Sequence, residues 1–302
     1  MIDLHMHSTA SDGSFNPAEV AIKAAEAGLS AICLTDHENI SGVCEFKKAA
    51  EKYPKILALC GSELAASYPG AKIEVLAIDI KNTAPFAEWE KSVAQEREVS
   101  ILKRLDLLQK NGYDITMDDI SFDENGQKIR MIMRPHIALA LLKKGYVDTA
   151  SAAHALMSKK GPAYVKKSEP ALKTVISFIR DVGAVPVLAH PCLTEVSGAG
   201  LYNLVKDMKK MGLMGIEVFH SEHTPAQTAF YFKIAKSLSM IMSGGSDFHG
   251  ASKPDIFLGV GKGNLNIPDC VLDPILTRTQ PKPICYAEIK KILPHPNQLK
   301  RA

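Results

Sequence analysis

Ile2-Asp3-Leu4-His5-Met6-His7, Asn16-Pro17-Ala18-Glu19 and Ala31-Ile32-Cys33-Leu34-Thr35 read in succession as a strand, a helix start and a second strand. Asn16 is an N-cap residue, Pro17 suits the first helical position, and Glu19 completes a capping box; Gly28 stops the helix. The same alternation extends outward. A helix is expected over Gly42–Lys52, a third strand over Ile56–Cys60 and a fourth over Lys72–Ile80. It returns late in the chain with strands over Ala184–Ala189, Gly215–Phe219 and Met240–Ser243, separated by helices over Leu201–Met211 and Ala226–Leu238. Repeated strand–helix units imply an α/β fold, with parallel strands inside and helices outside.

The texture changes between these halves. Phe86–Gln109 is one long amphipathic helical stretch, with shorter helices around Arg134–Lys144 and Thr149–Ser158 and turns at Asn111-Gly112 and Asn125-Gly126. Residues 85–160 therefore read as a helical cap inserted into a barrel built from 1–84 and 161–302. Trp89 and the stripe around it read as core of that cap rather than as a base-stacking platform.

Composition narrows the partners. The 302 residues are 46% hydrophobic and 23% charged, with a net charge of +3. Residues 86–167 hold 14 Lys/Arg against 11 Asp/Glu, a bias too mild for duplex DNA but suited to a small anion. Nothing approaches the roughly 20 apolar residues of a membrane span, and no leader pattern precedes the first strand, so a cytoplasmic protein is expected. None of the six cysteines forms a C-x-x-C pair; they read as reduced core thiols, with neither a disulfide scaffold nor a thiolate-bound zinc indicated.

Metal-competent side chains recur where strands end: His5 and His7, Asp36 and His37, Glu63, His190, Glu217 and His220, Asp247 and His249. In a βα barrel these ends share one rim, so residues remote in sequence would meet in one pocket. His5 and His7 lie two apart on an extended chain and face the same way. Asp12 follows in a loop turned by Gly13, and Asp247-Phe248-His249 repeats the two-residue spacing. Mixed nitrogen and oxygen donors suit Mn²⁺, Zn²⁺ or Fe²⁺.

As a set, His5-Met6-His7-Ser8 with Asp12, Leu34-Thr35-Asp36-His37, Gly61-Ser62-Glu63, Ala189-His190-Pro191 and Gly245-Ser246-Asp247-Phe248-His249 resemble the PHP (polymerase and histidinol phosphatase) domain family. The resemblance implies a distorted (βα)₇ TIM-like barrel, two or three divalent ions and phosphoesterase chemistry. Arg134-Pro135-His136-Ile137-Ala138, Gly161-Pro162-Ala163-Tyr164-Val165 and the stretch from Glu217 to Pro225 are similar to the capped subgroup. That subgroup includes a nucleoside 3′,5′-bisphosphate phosphatase and enzymes trimming short RNA from the 5′ end. Carried over, the pattern puts one ion on His5, His7, Glu63 and Asp247, a second on Glu63 and His190, and a third on Asp12, His37 and His249. Relatives commonly have a histidine where Lys72-Ile73-Glu74 offers Glu74, which is either a ligand of the second ion or a solvent-facing strand residue.

The expected chemistry is hydrolysis of a small phosphomonoester, with a nucleoside 3′,5′-bisphosphate as best substrate and Glu63 as the bridging catalytic carboxylate. Arg134 is the candidate phosphate clamp; His136 and His223 are candidates for proton donation or substrate contact, and His220 for substrate contact. Lys166 and Lys167 read as a solvated pair, and His154 and His295 as surface residues. Alternatives are a 5′–3′ exonuclease on short oligoribonucleotides, a metal-dependent C–N hydrolase, or a non-catalytic accessory domain.

Overall fold

The computed structural model describes residues 1–122, 126–129, 132–165 and 169–293. The expected turn residue Asn125, the Lys166-Lys167 pair and His295 lie outside the described residues. Seven strands form one sheet in chain order: β1 (Ile2–Met6), β2 (Ala31–Leu34), β3 (Leu57–Tyr68), β4 (Ala71–Ile78), β5 (Val185–Leu188), β6 (Gly215–His220) and β7 (Ile241–Gly245). The sheet curls until its edges meet. His7 N–H donates to Phe248 O at 2.9 Å and Asp247 N–H to His5 O at 2.8 Å, nearly closing a barrel.

Helices cover the outside. α1 (Pro17–Glu26) carries the capping box, with Glu19 N–H on Asn16 Oδ1 and Asn16 N–H on Glu19 Oε2, each at 2.8 Å. It is followed by α2 (Val43–Ala50), α3 (Phe86–Lys110), α4 (Arg134–Lys143), α5 (Ala150–Leu156) and α6 (Leu172–Asp181). α6 buries Leu172, Val175, Ile176 and Ile179, a helical stripe laid on β3, β4 and β5. Each such side chain removed from water contributes about 1.5–3 kcal/mol. α7 (Gly198–Met211), α8 (Pro225–Ser237), α9 (Leu272–Thr277) and α10 (Pro283–Ile292) complete the layer. No helix among the described residues is long and apolar enough to cross a membrane.

The barrel is not parallel throughout, contrary to the simple strand–helix reading. β4 runs antiparallel to both β3 and β5. The cause is local: Pro69-Gly70 joins β3 to β4, with Gly70 at φ +75°, and two residues permit only a hairpin. The start of β4, not its end, therefore lies at the rim reached by the other strands. Glu74 and Leu76 pair with Ala65 and Glu63, so Glu74 shares a sheet face with Glu63.

A second apolar core, including Ile101, Leu105, Leu108, Ile120, Ile137 and Leu141, sits apart from the barrel core. α3 spans the two. Its first turns belong to the barrel side, not to the cap core expected for Trp89. Trp89 stacks on Phe178 at 4.3 Å and donates Nε1–H to Glu38 Oε2, while Glu90 accepts from Ile40 N–H at 2.7 Å. The farther half carries Arg104, which is buried and donates to the carbonyls of Met157, Ala163 and Val165. One guanidinium thus ties α3 to the segment that follows α5. Arg104→Met leaves three carbonyls without this donor, two of them on the buried residues Met157 and Ala163, at a cost of about 1–3 kcal/mol for each buried one. Faster amide exchange over 150–165, with the barrel strands unchanged, is the expected result.

Candidate metal centre

The strand rim gathers four carboxylates and five imidazoles. His5 and His7 project from the end of β1 on one face. Their Nε2 atoms lie 3.4 Å from Glu63 Oε2, and 3.5 and 3.2 Å respectively from Asp247 Oδ1. Glu63 turns its other oxygen, Oε1, to His190 Nε2 at 2.7 Å, and Glu74 Oε2 stands 3.6 Å from the same nitrogen. Asp12 lies 3.3 Å from His249 Nε2 and 3.8 Å from His37 Nε2, with His7 Nδ1 at 3.9 Å. Three donor groups follow at the rim: His5, His7 and Glu63 beside Asp247; Glu63, Glu74 and His190; and His7, Asp12, His37 and His249. His220 makes two further groups, with His5 and Asp247 and with Cys192 and His223. Glu63 belongs to two groups by offering one oxygen to each.

Charge in this cluster is strongly coupled. Burial works against the ionised carboxylates, yet His5, His37 and His190 hold Glu63 well below the usual carboxylate range. Burial likewise works against protonation of His5, but Glu217, Glu63 and Asp247 raise it well above the ordinary histidine value. His7 goes the other way, lowered to about 3 by burial and by His249 and His37. Neither ring nitrogen of His7 has a hydrogen-bond partner, although the residue is fully buried. Two orphaned nitrogens are costly in an interior. A bound cation is the chemical species that would use them, so the donor set fits divalent ions.

The surroundings hold the donors in place. Glu217 Oε1 lies 3.1 Å from His5 Nδ1 and its Oε2 accepts from His190 N–H at 2.6 Å, fixing the imidazole of one donor and the backbone of another. Asp36 does not face the cluster; it accepts from Ser8 N–H, Ser8 Oγ and Ser11 Oγ and so shapes the loop that carries Asp12. Buried Asp3 accepts from Ser246 and Gly259 N–H, anchoring the turn before Asp247. Asp247 and His190 both adopt positive φ, +58° and +22°. Such backbone costs about 1–3 kcal/mol per residue and persists where neighbours over-determine it.

Residues 3–182 match the family described as PHP domain. The chain belongs to the PHP domain family. Among curated PHP relatives, a 5′-3′ exoribonuclease of Haemophilus influenzae is 30% identical over 89% of this chain and 96% of its own length. A 3′,5′-nucleoside bisphosphate phosphatase of Chromobacterium violaceum is 28% identical over 82% of this chain and 87% of its own. Among solved structures, a protein from Bifidobacterium adolescentis described as a metal-dependent phosphoesterase superposes with a TM-score of 0.79. It is 27% identical, covering 94% of this chain and 98% of that one.

Above the PHP donor groups lies a cavity of about 320 Å³. Its floor includes Asp12, His37, Glu63, Glu74, His190, Asp247 and His249; Arg97 and Arg104 come from α3, Arg134 from the start of α4, Lys72 from β4 and Lys253 from the segment after β7. Arg134, the expected phosphate clamp, lines this cavity. Three other candidates have ring nitrogens engaged within the protein or buried. His136 commits its Nδ1 to Met133 N–H at 2.9 Å at the start of α4, beside the cavity-lining Arg134 and Pro135, with Asp12 of the third donor group near enough to act on its charge. His223 does not line the cavity. Its Nδ1 faces Val218 O at 3.0 Å and so carries the proton, and burial lowers it to about 3. Its Nε2 is buried without a hydrogen-bond partner. His220 accepts from Glu222 N–H through Nδ1 and turns Nε2 to Asp247 Oδ2 at 3.6 Å, facing a donor carboxylate rather than substrate. In the opposite sense, exposed His154 borders the cavity beside Arg134.

Sequence reasoning overlooked Arg97, Arg104, Lys72 and Lys253. A signal existed for two pairs. Arg97 and Arg104 are seven apart, one face of α3, and Lys72 and Glu74 are two apart on β4, with Lys72 Nζ 3.3 Å from Glu74 Oε2.

Proposed function

We propose that this chain is a metal-dependent phosphoesterase acting on a small nucleotide that carries two phosphates. The reading rests on one juxtaposition: donor groups for divalent ions form the cavity floor, and guanidinium and ammonium groups form its walls. Three ions would be held by His5, His7, Glu63 and Asp247; by Glu63, Glu74 and His190; and by Asp12, His37 and His249, with Mn²⁺, Zn²⁺ or Fe²⁺ as fitting metals. When bound, such ions lower the pKa of water toward neutrality and screen phosphoryl oxygens.

The protein's own residues position and discriminate. Glu63 keeps two donor groups in register, Glu217 fixes the His5 ring, and Arg134 offers a planar fork to a second phosphate away from the floor. Residues 85–160 act as a cap, closing the cavity to a compact substrate. Six unpaired cysteines fit a reducing cytoplasmic setting.

A second reading, exonuclease action on short RNA, is favoured by the Haemophilus influenzae relative. Against it, no Phe, Tyr or Trp is among the described residues lining the cavity, so a stacking platform for successive bases is missing from its wall. The deciding assay compares a nucleoside 3′,5′-bisphosphate, a 5′-monophosphate and a short oligoribonucleotide with Mn²⁺, before and after chelation. The bisphosphate is expected to lead in kcat/KM by about 10- to 100-fold, the worth of one charge-assisted contact. Arg134→Ala should erase that lead while leaving metal content intact. Turnover of amides with no phosphoester cleaved would sink the reading; preference for the oligonucleotide would select the nuclease.

A further inference from the structure

Lys253 lies four residues beyond His249, just past the short 3-10 turn Gly250–Ser252, and its side chain reaches back over the donor groups. Its Nζ is 2.5 Å from Asp247 Oδ2. Asp247 is thereby divided. Oδ1 faces His7 and His5, while Oδ2 is held by the Lys253 ammonium and faced by His220. Glu63 and Asp12, which line the same cavity, also attract this ammonium.

An ammonium has three hydrogens and no acceptor. One is committed to Asp247, and Lys253 lines the cavity together with the arginines of α3 and α4. A phosphate dianion above the floor meets ions below, guanidinium groups of α3 and α4, and this compact cation beside Asp247. We propose that Lys253 is a substrate-binding residue whose ammonium keeps one hydrogen on Asp247 and donates another to a non-bridging oxygen of the phosphoryl group. The assignment rests on the phosphoesterase reading and adds a contact to the reacting group itself, whereas Arg134 is assigned to the second phosphate.

The test uses metal-loaded protein with Lys253→Met and Lys253→Arg, measuring metal content by mass spectrometry, inorganic phosphate affinity by calorimetry, and kcat and KM. Lys253→Met should keep the wild-type metal content, bind phosphate about 10- to 100-fold more weakly and lose kcat/KM by a similar factor. Lys253→Arg should recover most of the phosphate affinity. Unchanged phosphate binding in Lys253→Met overturns the proposal. So does a loss that follows metal content and is restored by excess metal, because Lys253 would then only set the Asp247 carboxylate. If the wild-type protein binds phosphate but cleaves no phosphoester, the phosphoesterase reading fails, and the phosphate comparison still decides whether Lys253 binds anions.

Discussion

Glu63→Gln is expected to lower turnover by about a thousandfold or more and to deplete two of the three ion positions. Glu63 is 1% exposed, with Oε1 committed to His190 and Oε2 to His5, His7 and His37. The amide preserves shape but removes the charge shared by two donor groups. Deleting one partner of a buried charged constellation costs about 3–5 kcal/mol, which corresponds to two to four orders of magnitude in an equilibrium constant. Metal content and kcat measured on the same preparation check this. Near-normal turnover with a full complement of ions would show that Glu63 bridges nothing.

The second large effect is expected at Gly245, the last residue of β7. A Cβ there would lie 2.3 Å from His5 Cβ and 2.4 Å from His5 N. Neither side can yield easily. Asp247 N–H is bonded to His5 O, and Ser246 N–H to Asp3 Oδ1, so the seam between β1 and β7 is pinned next to the contact. Gly245→Ala should force this seam open, lowering stability by about 3 kcal/mol or more and moving His5 off Glu217. Thermal unfolding together with metal content is the measurement. A variant with wild-type melting and full metal loading would mean that the close approach of β7 to β1 is not what seats His5.

These two sites differ in how visible they are in the sequence. Glu63 stands out as an acid closing an apolar run, and the His5/His7 spacing follows from strand parity alone. Gly245 carries no such mark, because its constraint comes from a residue 240 positions away. The antiparallel course of β4 is intermediate. Pro69-Gly70 is a two-residue turn legible in the chain, but the alternation of strands and helices suggested a parallel strand and hid the hairpin's consequence for Glu74.

What the sequence by itself determined was the residue types available at strand ends, their parity, the helix caps and the second helical region, since these follow from local backbone geometry and short-range propensity. Only the tertiary structure decided which way each polar side chain turns: Asp36 to the Ser8 loop, His136 to a helix terminus, His220 to Asp247, His223 to a carbonyl, and Lys253 back over the rim. Those directions depend on hydrogen-bond partners supplied by distant segments, and a partner can be chosen only after the strands have found their register.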